Sequence, residues 1–91
     1  MAYVIHGTVR DASGLPVPQA RAYFLSGPGP FPDIAAVTDP HGAFTLSAPS
    51  RGSYRIECAA DGFAPEVTPI DLPQTGEAPV EIRLSRRSEP A

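Results

Sequence analysis

Few groups in this chain could move a proton or attack a carbonyl. The two histidines, His6 and His41, lie far apart. A general base must lie within hydrogen-bond reach of its partner. His6 falls on the polar side of an alternating strand and His41 at a turn, so surface roles are predicted for both. Asp11, Asp39 and Asp61 stand in three turns that strand alternation brings to one end, with His41 beside them. Oxygen-rich loops can hold Ca²⁺, but this spacing fits no metal-binding motif. Asp is also favoured in turns because its carboxylate accepts nearby backbone N–H groups. Turn capping is the predicted role, with no metal and no cofactor. Cys58 is the single cysteine, which rules out an intrachain disulfide and a thiolate metal cluster. It alternates with Tyr54 and Ile56 onto an apolar face, and a reactive thiolate needs an accessible, electropositive setting. No serine sits in a nucleophile-elbow sequence. No catalytic residue is assigned.

The segment Pro28-Gly29-Pro30-Phe31-Pro32-Asp33 places an aromatic among prolines. Arg51 and the Gln74-Thr75-Gly76-Glu77 loop are predicted at the same end. Aromatic and Arg side chains pre-ordered by proline suit a protein interface. Phe31, Asp33 and Arg51 are therefore the binding candidates. The competing role for Phe31 is to fold back and close the open end of the core.

The elements that position these residues follow from the alternation of apolar side chains. Tyr3 to Arg10 puts Tyr3, Ile5, Gly7 and Val9 on one face, the period of a strand. Ala20 to Leu25, Tyr54 to Ala59, Glu66 to Ile70 and Val80 to Leu84 repeat the pattern. Between Ile34 and Leu46, Asp39-Pro40-His41-Gly42 separates two apolar runs and predicts a β-hairpin. Pro suits the second position of a turn, and Gly tolerates positive φ. No stretch has helical periodicity. Together these strands predict an all-β, seven-stranded antiparallel β-sandwich. It forms one domain over residues 1–85, with 86–91 as a frayed tail.

Composition agrees with one small core. Ninety-one residues bury only about 60–65% of their unfolded surface. Twelve Pro and eight Gly punctuate the strands, the net charge is −3, and every Lys-or-Arg position is Arg. The scattered Arg residues argue against a nucleic-acid footprint. No run approaches the ~18 apolar residues of a membrane helix, so no membrane insertion is predicted. The first residues lack the pattern of a secretory signal; a complete chain would be expected in the cytoplasm.

Several spaced elements combine into a family pattern: Gly7-x-Val9-x-Asp11, Gly14-x-Pro16-x-Pro18-x-Ala20, Thr38-Asp39-x-x-Gly42-x-Phe44-x-Leu46, Pro49-x-x-Gly52-x-Tyr54-x-Ile56 and Gly62-Phe63. From about Ile5 to Leu84 the chain resembles the carboxypeptidase regulatory-like domain, a transthyretin-like (prealbumin-like) Greek-key sandwich. The resemblance implies structural roles for Gly14, Asp39, Gly42, Phe44, Gly52 and Tyr54. Tyr54 looks like a tyrosine corner, with a buried ring and a hydroxyl returned to nearby backbone. Relatives include non-catalytic domains beside carboxypeptidases, adhesion repeats, hormone carriers and hydroxyisourate hydrolases. The isopeptide cross-link of adhesion repeats needs a Lys amine, and this sequence has no Lys. The hydrolases use two His and an Arg at a subunit interface and end in Tyr-Arg-Gly-Ser; here the segment reads Arg51-Gly52-Ser53-Tyr54, inside the chain. The expected function is a non-catalytic interaction or assembly module whose partner is another protein or a neighbouring domain. A small-ligand carrier or a hydroxyisourate-type hydrolase is the alternative, and both need a tetramer.

Overall fold

The computed structural model describes residues 3–29, 35–72 and 80–86. Phe31, Asp33 and the Gln74–Glu77 segment lie outside the described residues. The strands are β1 (Tyr3–Asp11), β2 (Arg21–Ser26), β3 (Ala36–Val37), β4 (Ala43–Ala48), β5 (Gly52–Ala59), β6 (Glu66–Leu72) and β7 (Val80–Leu84). They form a three-stranded sheet in the order β4-β1-β7 and a four-stranded sheet in the order β3-β2-β5-β6. One core joins the two sheets: Ile5, Val9, Phe44, Leu46, Ile82 and Leu84 meet Phe24, Tyr54, Ile56, Ile70 and Leu72. Each large apolar side chain buried there contributes about 1.5–3 kcal/mol. The all-β sandwich expected from the alternation is the observed architecture.

Two details differ from the expected layout. The β1–β7 pair runs parallel, Gly7 opposite Val80 through Asp11 opposite Leu84, while the other pairs are antiparallel. A parallel neighbour requires a long connection, and the chain visits both sheets between β1 and β7. The second difference is a correction. The segment around Asp39 is not a hairpin, because β3 pairs with β2 and β4 pairs with β1. The turn therefore carries the chain from one sheet to the other.

Thr38 accounts for that crossing. It is the buried polar residue of the described core, 4% exposed. Its Oγ1 accepts a hydrogen bond from Ala20 N–H at 2.9 Å and donates one to the Val17 carbonyl at 2.7 Å. Its backbone N–H donates to the Ala20 carbonyl at 2.9 Å. Four residues later the Gly42 carbonyl accepts from Val9 N–H at 2.7 Å, on the other sheet. A hairpin would leave the buried hydroxyl without these partners, at a cost of about 1–3 kcal/mol.

Gly7 on β1 faces Phe44 on β4, and the Phe44 ring lies where a Gly7 Cβ would stand. The ring covers the backbone of a residue that has no side chain to pack. Arg86, at the start of the expected tail, is also placed: it bridges to Phe63, and its guanidinium sits 5.2 Å above that ring.

Candidate functional site

At one end of the sandwich, two turns share the pattern Asp-x-x-Gly. Asp11 Oδ1 accepts from Ser13 N–H at 2.8 Å and Leu15 N–H at 3.0 Å. Asp39 Oδ1 accepts from His41 N–H at 2.8 Å and Ala43 N–H at 2.9 Å. Gly14 and Gly42 close the turns at φ +87° and +78°, where a side chain is strained. The Ala43 N–H on Asp39 does most to hold its carboxyl below the ordinary value, against slight desolvation. Asp61 lies 4.0 Å from Arg21 in a long pair open to water. Among the described residues, no three of His, Cys, Asp and Glu converge. An open cleft of about 510 Å³ at this end is lined by Asp11, Leu15, Gln19, Arg21, Phe63 and Arg86 among others.

The other groups able to do chemistry are dispersed. His6 is exposed on the outer face of β1, opposite Thr45. Cys58 is fully buried, and desolvation pushes its thiol up to about 11, so it stays protonated at neutral pH. Tyr23 and Glu57 face each other across β2 and β5 on the outer surface. The Tyr23 hydroxyl donates to the Glu57 carboxylate, and chiefly this bond raises the phenol's pKa. Strand alternation alone did not reveal this cross-strand pair, which depends on the register between two strands distant in sequence.

The opposite end is built on Gly52 and Tyr54. Gly52 has φ +135°, and a Cβ there would stand 2.7 Å from Pro28 Cγ. Only glycine allows Pro28 to rest on the start of β5 in this way. Tyr54 is 2% exposed, its ring centroid 4.8 Å from that of Phe24. Its hydroxyl donates to the Ser50 carbonyl at 2.9 Å and approaches Ser50 Oγ at 3.2 Å. Arg51, held between these two anchors, is exposed. Of the three binding candidates it is the one among the described residues.

Residues 4–85 match the family profile of the carboxypeptidase regulatory-like domain. The chain belongs to that family. Among solved structures, the domain is similar to a variant of the major pilin subunit of Bacillus cereus, with TM-score 0.69 and 13% identity. The match covers 100% of this chain and 30% of the pilin chain, and at that identity it shows the fold alone. No curated protein matches the chain.

Proposed function

We propose that this carboxypeptidase regulatory-like domain is a non-catalytic interaction or assembly module, acting on another protein or a neighbouring domain. The observation that carries the proposal is that its chemical groups are either committed to the fold or dispersed over it. The Asp11 and Asp39 carboxylates hold backbone N–H groups, Cys58 is core, and His6 stands on an outer sheet face. Fold alone does not dictate function, so the role is assigned from these residues.

The contact surface we assign is the loop end carrying Phe31, Asp33 and Arg51. Arg is favoured at interface centres, and the Pro28–Gly52 contact holds the start of this loop beside Arg51. The test is capture of partners by the immobilised domain from a lysate of its own source cells. Phe31→Ala and Arg51→Ala should each abolish capture of the protein retained by the unmodified domain, with melting temperatures unchanged. A fall of about 4 °C or more for Phe31→Ala, equivalent to about 1 kcal/mol, would place that ring in the core and remove it from the surface. Turnover of hydroxyisourate by the purified domain would overturn the non-catalytic assignment.

A further inference from the structure

Among the described residues, the two sheets end in four edge strands, and three are blunted. Strand β3 has two residues. Strand β6 carries Pro69 in its middle, with Glu66 and Asp71 on either side. Strand β7 carries Glu81 and Arg83, and the chain beyond it is covered where Ala64 N–H donates to the Ser85 carbonyl. Short length, charge and proline are the usual protections against edge-to-edge pairing. Strand β4, Ala43-Phe44-Thr45-Leu46-Ser47-Ala48, has none of them.

Its open side can be read from the hydrogen bonds. Gly42 turns its carbonyl to Val9 on β1. Ala43 turns away: its N–H goes to Asp39 Oδ1 and its carbonyl accepts from Asp39 N–H. Backbone groups alternate sides along an antiparallel strand. Phe44, Leu46 and Ala48 therefore bond to β1, while Thr45 and Ser47 direct their N–H and C=O groups outward from the sheet edge.

We infer that β4 pairs antiparallel with β4 of a second copy of this chain, about a two-fold axis through Leu46. This register sets Thr45 opposite Ser47 of the second copy, each pair exchanging both backbone bonds. On the inner face it sets Phe44 opposite Ala48, large against small. The next pair would be Ala43 opposite Pro49. Ala43 has already used its N–H and C=O on Asp39, and Pro49 has no N–H, so the pairing stops at both ends. The segment bears no charge, so two copies meet without repulsion. The product is one continuous sheet in the order β7-β1-β4-β4-β1-β7. An interface of this kind is small, and the association is weak and concentration-dependent. This deepens the assembly reading, on which it rests, by naming the surface and the partner.

Sedimentation equilibrium of the purified chain from low micromolar to near-millimolar concentration tests it. The mass should rise from 9.6 kDa toward its double. Thr45→Glu combined with Ser47→Glu should weaken association about tenfold or more by setting like charges opposite each other, with circular dichroism unchanged because both sites are on the exposed face. Thr45→Glu combined with Ser47→Arg should restore the dimer, since the register pairs position 45 with position 47. A chain that stays monomeric overturns the inference, even if its β4 edge takes up an extended peptide from another protein. So does a double-Glu variant that still dimerises, or a Glu/Arg variant that does not. Loss of partner capture in Arg51→Ala is independent of these outcomes, so the two proposals can fail separately.

Discussion

The two Asp-x-x-Gly turns have nearly the same local structure and opposite destinations. In each, the Asp N–H donates to the carbonyl four residues on, at 2.8 Å for Asp11 and 3.0 Å for Asp39. In each, the Gly N–H returns to the Asp carbonyl, at 3.0 and 2.9 Å. After the Asp11 turn the chain doubles back on itself: Arg10 bridges to Pro16, and Val17 N–H reaches the Val9 carbonyl at 2.9 Å. After the Asp39 turn it changes sheets. Turn grammar sets the shape of the reversal, and a buried hydroxyl one residue upstream sets where the strands go.

Substitutions can break that comparison apart. The largest effect is expected at the glycines, and it should be unequal. A Cβ at Gly42 would stand 2.5 Å from the Val9 carbonyl oxygen, whereas one at Gly14 meets nothing within 4 Å. Gly42→Ala should cost about 2–4 kcal/mol, from left-handed backbone strain plus overpacking. Gly14→Ala should cost about 1 kcal/mol, from the strain alone. Urea denaturation of both variants measures the difference, and equal losses would mean that Gly42 does not sit against β1.

Next in size is Thr38→Val, which keeps the shape and deletes the hydroxyl. It leaves Ala20 N–H and the Val17 carbonyl short of a partner, so about 1–3 kcal/mol should be lost. The Asp11 turn has no equivalent residue. Tyr54→Phe, remote from both turns, is the reference for a part-buried hydroxyl bonded to Ser50 and should cost about 1 kcal/mol. A Thr38→Val loss no greater than this reference would remove Thr38 as the anchor of the crossing.

The smallest effect is electrostatic. The folded pKa of Asp39 is lowered, first by the Ala43 N–H. Its stabilisation is therefore complete above the ordinary carboxylate pKa and is lost as pH falls through the lower folded value. Melting temperatures taken from neutral to acid pH should fall less steeply for Asp39→Asn than for the unmodified chain, since the amide cannot be protonated in that range.

Much of the fold was legible because alternation, Gly and Pro act locally. Ile5, Val9, Ile56, Cys58, Ile82 and Leu84 are buried, as their spacing requires, and the turn at Asp39 is a turn. What could not be read is pairing. Strand order depends on contacts between residues distant in sequence, so the parallel β1–β7 pair and the destination of β4 left no local mark. Thr38 is the instructive case, since a threonine before Asp-Pro looks like strand-end polarity until Val17 and Ala20 are beside it. Within the candidate surface, the exposure of Arg51 follows from its place between Pro49 and Gly52. The Pro28 contact with neighbouring Gly52 depends on packing across 24 residues.

The central claim is that the chain crosses between sheets at Thr38–Gly42, joining β4 to β1 at the end of its sheet. Cross-strand Hα–Hα nuclear Overhauser effects measure this most directly, because opposed residues outside the hydrogen-bonded pairs bring these protons close. The account predicts contacts of His6 with Thr45 and Val4 with Ser47, following the observed register. Contacts from Ala36 to Leu46 in their place, the non-hydrogen-bonded pair of a hairpin closed by Asp39 opposite Ala43, would contradict it.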